Sequence, residues 1–405
     1  MQNLPEWWEI KKLWDIANKI TKGATPTTYW FKFQSDGINF VKVENLNNWK
    51  IDVNSINSFI SSEAYNFQKR SILKEWDILF SIAWTIWNTA IVEKKDLPSN
   101  TNQAIAIISW FSNILIPEYL RYVLVSNLIF WLKWKARWWA LQNISLGDIK
   151  NTEIPLPPLK TQKQIVVKLD EVLGDIDQSI QLIQQNIAHI DEMNKSVLNQ
   201  VFEEGDYEYF NLPQVAKIWV DKWFMPSPDN NNKIPFISMA DIDQYSWNKS
   251  SYQLVDFEKY KKNYTRFWKN AILLAKITPC TENNKTSIVP SEIEWGFATT
   301  EAVAIHNKDN ILPIYLNYYL RSDKVRNILI NSMIWATGRQ RVPTDIIKSI
   351  QIPLPPLSKQ QEIVDYLDKI FQTNEQLTDQ YQQKLANLQE LKKSVLNSAF
   401  EGKLV

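Results

Sequence analysis

The sequence predicts an α+β protein in which two small domains alternate with two long helices that pack as an antiparallel coiled coil. Three observations carry this. IPLPPLKTQKQIVVKLD at Ile154 recurs as IPLPPLSKQQEIVDYLD at Ile352, and KSVLNQVFE at Lys195 recurs as KSVLNSAFE at Lys393. Both recurrences are offset by 198 residues, so one element is used twice without insertion or deletion. Apolar residues follow a heptad rhythm inside the repeat, and short apolar runs bounded by turn signals precede each copy.

The first domain is expected over residues 1–152. INFVKV at Ile38 and WDILFSIAWTIWNTAIV at Trp76 read as strands, and IPEYLRYVL at Ile116 reads as a helix near the domain's end. The first long helix is expected within 153–205. Pro155, Pro157 and Pro158 cannot lie inside it and form an extended lead-in. Its seam runs through Leu169, Leu173, Ile176, Ile180, Ile183, Ile187 and Ile190, then Val197 and Val201, with Asn194 as a polar seam residue that fixes register.

The second domain, 206–350, echoes the first: IPFISM at Ile234, NAILLAKITPCTENNKTSIV at Asn270 and LPIYLNYYL at Leu312. The second helix, within 351–405, keeps Leu367, Phe371, Leu385, Leu388 and Val395 but places Asn374, Thr378 and Lys392 on its seam. Alone it is a poorer coiled coil, so the two helices of one chain are expected to pair with each other.

Composition narrows the function. One cysteine, Cys280, excludes a disulfide framework and a multi-cysteine zinc site, and the two histidines, His189 and His306, stand far apart. No metal site is expected. The start MQNLPEWWEIKK lacks the basic and apolar regions of a signal peptide, and no apolar run is long enough to span a bilayer, so a cytoplasmic protein with no membrane partner is expected. Net charge is +1, which assigns any nucleic-acid affinity to local clusters. There is no GxxxxGK[ST] loop, no HExxH and no Asn/Asp-Pro-Pro-aromatic motif, so no catalytic residue is assigned. Glu301 in ATTEAVAI and Cys280 are read as structural groups.

The abnormal counts are 8 glycines and 19 tryptophans. Glycine normally makes up about 7% of residues, and the two types together restore that share. Tryptophan is absent from Ala140 to Ile218 and after Trp335, the stretches that hold the helical patterns. Glycine avoids helices and tryptophan has no comparable reason to. Trp49, Trp76, Trp84 and Trp87 fall instead at turns between apolar runs. Most of these positions are therefore read as glycines encoded by a reassigned UGA codon, with Trp8 kept as a true tryptophan.

The layout and the residues IPLPPL, QKQIVVKLD and KSVLN resemble the specificity subunit of type I restriction-modification systems, over essentially the whole chain. RWWALQNISLGDI and WATGRQRVPTDI also resemble the family's glycine-containing pattern near each domain's end, provided Trp138, Trp139 and Trp335 are glycines. The resemblance implies two target recognition domains, each reading one half of a split site in double-stranded DNA, with the helices fixing the distance between halves. It implies no chemistry in this chain. Methylation with S-adenosylmethionine would come from methyltransferase (modification) subunits, and ATP- and magnesium-dependent translocation and cleavage from restriction subunits.

Cations on loops position phosphates, while Arg, Asn and Gln read base edges. The DNA-binding candidates in the first domain are Lys22, Thr25, Thr85, Asn88, Lys133, Lys135, Arg137 and Gln142. In the second they are Lys276, Thr278, Lys285, Arg339, Gln340 and Arg341, the last three forming the best cluster. Two alternatives stay open: paired helices that hold two ligand-binding domains together, and a single-strand binder that stacks bases on Trp134, Trp138 and Trp139.

Overall fold

A computed structural model describes the chain except residues 1–3, 48, 84–87, 110–113, 127–143, 204, 206, 219–223, 243–249 and 405. It divides into two compact units: Met1–Leu182 with Lys384–Val405, and Ile183–Gln383. Each unit joins one small α+β domain to the beginning of one long helix and the end of the other.

The first domain holds a four-stranded antiparallel sheet ordered Lys19–Lys22, Ile105–Ser109, Ile78–Ser81, Thr89–Ile91. A second sheet pairs Ile38–Val41 in parallel with Ser99–Thr101 and antiparallel with Phe59–Ile60. The second domain repeats the plan. Its antiparallel sheet is ordered Ala216–Ile218, Ala302–Asn307, Ile272–Ala275, Thr286–Ile288. Lys233–Ile237 there runs parallel to Trp295–Ala298. The faint sequence echo between domains is thus a shared topology.

The proline-rich lead-ins are strands. Glu153–Leu156 pairs antiparallel with Glu9–Lys12, and Gln351–Pro353 with Tyr209–Asn211, so each domain is closed by its own first and last segments. The helices begin only after the prolines, at Leu159–Glu203 and Leu357–Phe400.

The reason the repeated motif is repeated lies at this junction. Gln162, fully buried, accepts from the Ile116 amide at 2.9 Å and donates to the Ile114 and Pro157 carbonyls, both at 2.8 Å. Gln360 makes the same three bonds, to the Leu312 amide and the Asn310 and Pro355 carbonyls. Tyr119 donates to the Pro155 carbonyl and Tyr315 to that of Pro353. Tyr122 reaches Asp170, as Tyr318 reaches Asp368. A single amide side chain satisfies one donor and two acceptors that no helix or sheet would pair.

Within the first unit, Leu169, Leu173 and Ile176 are buried in the core with Leu396, Ala399 and Phe400, and Ile180, Leu388 and Val395 pack against it. Within the second, Leu198 and Phe202 share a core with Ile363, Leu367 and Phe371. The beginning of one helix therefore packs on the end of the other, which is antiparallel pairing. Ile190 is buried, whereas Ile183, Ile187 and Leu385 are half-buried. The polar seam residues find partners: the Asn374 side-chain amide donates to Asn194 Oδ1 at 2.6 Å, and Lys392 Nζ meets Asp177 at 2.5 Å.

Candidate nucleic-acid interface

At the end of the second domain, Ile334–Ala336 and Arg339–Arg341 form a two-stranded hairpin. Its loop is the pair Thr337–Gly338, with φ of 48° and 77°. Two successive positive φ values are those of the type I′ turn, whose twist suits a hairpin and which glycine admits without strain. The sequence ATGR encodes the hairpin directly.

The hairpin is tied down on one side. The Val342 amide donates to the Lys276 carbonyl at 2.9 Å, and the Thr278 amide to the Gln340 carbonyl at 3.1 Å. Arg341 binds Glu301 through two nitrogens: Nη2 to Oε1 at 2.8 Å and Nε to Oε2 at 3.0 Å. It also donates to the Ala336 carbonyl and to Thr337 Oγ1. The Arg341 guanidinium holds the Glu301 carboxyl below the usual carboxylate range. Burial lowers the half-buried Lys276 ammonium, and Glu301 opposes that shift. Arg339 is exposed and makes no ion pair among the described residues, and Gln340 is half-buried beside it.

The other candidates are more scattered. Lys285 donates to the Met239 carbonyl at 2.7 Å, and Thr278 Oγ1 to Glu282 at 2.7 Å. In the first domain Lys22 is exposed on an edge strand, and Thr25 donates to Gln103 Oε1. The Asn88 amide donates to Ser81 Oγ at 2.9 Å. Thr85, Lys133, Lys135, Arg137 and Gln142 lie outside the described residues, as do Trp134, Trp138 and Trp139. The structure thus brings Lys276, Thr278, Arg339, Gln340 and Arg341 together, and leaves Lys285 bonded to a different loop.

Sequence reading passed over two features. Gln103 and Glu301 occupy the same place in TNQAIAI and TTEAVAI, again 198 residues apart, and each anchors a loop of its domain. The run FEKYKKNYTRFWK also places Tyr260 and Tyr264 in a stacked pair, centroids 4.7 Å apart, with exposed Lys259 and Lys262 nearby in sequence. Its alternation of rings and cations was the available signal.

Among the described residues, no group of three or more His, Cys, Asp or Glu residues is placed to hold a metal ion. No helix among them is long and apolar enough to cross a membrane.

A model of the type I restriction modification DNA specificity domain matches residues 5–192 and again 204–387. The MjaVIII specificity subunit of Methanocaldococcus jannaschii is 24% identical over 440 residues, spanning 99% of this chain and 94% of that protein. The EcoBI specificity subunit of Escherichia coli is 29% identical over 204 residues, 49% of this chain and 42% of that one. Two solved structures share the fold at 19% identity. One is a chain from work on complex assembly and conformational transition of the type I R-M system, with TM-score 0.77 and 99% of each chain covered. The other is the HsdS subunit from Thermoanaerobacter tengcongensis, with TM-score 0.57, covering 99% of this chain and 98% of that one.

Proposed function

Since the chain belongs to the type I restriction-modification DNA specificity family, we propose that it reads a two-part site in double-stranded DNA and scaffolds the subunits that modify and restrict it. The observation that carries this reading is the duplicated plan: two domains of one topology, each docked on a long helix by the same glutamine and tyrosine bonds. Such a chain offers two reading heads joined through two long helices. Loops of the domains, among them the hairpin Ile334–Arg341, supply contacts to phosphates and base edges.

In this reading the chain performs recognition and the chemistry lies elsewhere. S-adenosylmethionine is held by modification subunits, and ATP and magnesium by restriction subunits, in the cytoplasm. Co-expression with a modification subunit from the same organism tests it. Methylated adenine in a split, non-palindromic motif is the expected outcome, with binding that weakens steeply as salt rises. Genomic DNA left unmethylated by the co-expressed pair overturns the reading.

A further inference from the structure

We propose that Glu301 is a positioning residue for DNA recognition, one that withholds Arg341 from phosphate and fixes the hairpin so that Arg339 is its phosphate contact. This rests on the DNA-reading function proposed above and assigns roles within it.

The geometry carries the assignment. Three donors of the Arg341 side chain are engaged: Nε and Nη2 on Glu301, and Nη1 on Thr337 Oγ1 and the Ala336 carbonyl. A guanidinium held by a carboxylate at two points has its charge offset and its fork filled, so it is a poor phosphate ligand. The same bonds tie both strands and the turn of the hairpin to the strand that begins at Ala302. Arg339, opposite Ala336 in the hairpin register, is exposed beside the turn. A carboxylate next to a DNA-facing arginine also repels phosphate. Glu301 therefore lowers affinity for any duplex while sharpening the fit to one, which is how specificity is gained by a repulsive element.

The first domain shows what the alternative looks like. Gln103, the counterpart of Glu301, is neutral and accepts from Thr25. The two domains anchor their loops at one position with different chemistry, so removal of the Glu301 charge is expected to affect one half of the site only.

The test uses the full chain assembled with its modification subunits. Non-specific binding to a mixed-sequence duplex is measured against salt, and the preferred site is selected from a randomised duplex pool. Glu301→Gln is expected to bind the mixed duplex more tightly, to steepen the slope of log K against log salt by about 0.9 as Arg341 gains a phosphate, and to blur one half of the selected motif. Arg339→Gln is expected to flatten that slope by about 0.9, and Arg341→Gln to leave it unchanged. The double variant Glu301→Gln with Arg341→Gln returns the slope to the wild-type value while the half-motif stays blurred.

Arg341→Gln and Arg339→Gln keep the carboxylate and test the assignment even if Glu301→Gln folds poorly. A slope flattened by Arg341→Gln, or a Glu301→Gln chain whose slope and motif match wild type, overturns the proposal. If the wild-type chain selects no split sequence, the DNA-reading function itself fails, which is a separate result.

Discussion

Trp30 closes the short helical turn Pro26–Tyr29 with φ of 68°, and the residue is 94% exposed. Trp49 and Trp76 also have positive φ, 68° and 72°. Left-handed backbone costs a non-glycine residue on the order of 1 kcal/mol or more, and an exposed ring recovers none of it through burial. Among the described residues the other non-glycine residues in that region are three asparagines and a threonine, the asparagines being a residue type that tolerates it. Trp8, by contrast, is 7% exposed within the first unit's core. The backbone thus favours glycine at Trp30, Trp49 and Trp76, whereas Trp7, Trp14, Trp268, Trp295 and Trp335 have ordinary negative φ and Trp14 lies within the helical turn Leu13–Ile16. We expect Trp30→Gly to stabilise the chain by about 1 kcal/mol and Trp8→Ala to cost about 3–5 kcal/mol in denaturant melts. Tandem mass spectrometry of native peptides spanning Trp30, Trp49 and Trp76 is expected to read glycine. A tryptophan mass at all three sinks the codon reading. His306 offers a second check. Its ring stacks on Trp268 at 3.8 Å, faces Lys217 across the sheet, and neither ring nitrogen has a hydrogen-bond partner among the described residues. Burial, with Lys217 adding to it, pushes its pKa down to about 4. The unfolded chain binds this proton near 6.5 and the folded one does not, so the stability contribution is full above pH 6.5 and is lost as pH falls toward 4. His306→Leu should remove that acid-side slope, worth up to about 3 kcal/mol. Trp268→Gly should move the ring's NMR titration back toward 6.5, because water then reaches it.

At the scale of elements, the heptads were legible because a helix must repeat its apolar face, and so were the prolines that exclude a helix start. The role of Gln162 and Gln360 was not legible, since the groups they satisfy are backbone atoms whose identity no sequence records. Burying an amide is favourable only when its partners are present. Gln162→Ala leaves the Ile116 amide and the Ile114 and Pro157 carbonyls without that side chain. We expect it to cost about 2–4 kcal/mol by equilibrium unfolding, with Gln360→Ala similar because the geometry is the same. A loss under about 0.5 kcal/mol at both would mean that water replaces the amide. The first KSVLN copy docks in a comparable way, whereas Asn397 Oδ1 in the second copy is buried with no hydrogen-bond partner among the described residues. Asn199 donates to the Asp323 carboxylate at 2.8 Å and accepts from the Asp323 amide at 2.9 Å, joining the end of the first long helix to the start of Asp323–Asn331. The hairpin tip was legible from ATGR, whereas its partner Glu301 lies 40 residues away in the chain and reads from sequence as an isolated carboxylate.

For the whole molecule, the proposal that the helices set the separation of two half-sites makes a quantitative demand. The chain divides into its units between Leu182 and Ile183 on the first long helix and between Gln383 and Lys384 on the second. An insertion at either border adds length to one helix alone and shifts its seam against the other, so that Asn194 loses Asn374 or Asp177 loses Lys392. Seven residues inserted at both borders preserve the heptad phase on each helix and lengthen each by about 10.5 Å at 1.5 Å per residue. That length corresponds to about three base pairs at 3.4 Å each. The doubly extended chain is therefore expected to methylate the same two half-sequences with a spacer about three base pairs longer, read by sequencing methylated adenines after co-expression with the modification subunit. A single insertion is expected to lose methylation together with thermal stability. If the double insertion folds, methylates and keeps the original spacer, the separation is set by the partner subunits and the paired helices are only a connection between the reading domains. Sequence alone reached the pairing of the helices, because both copies of the repeat are visible. It did not reach the spacer, because that length depends on where each domain meets the DNA.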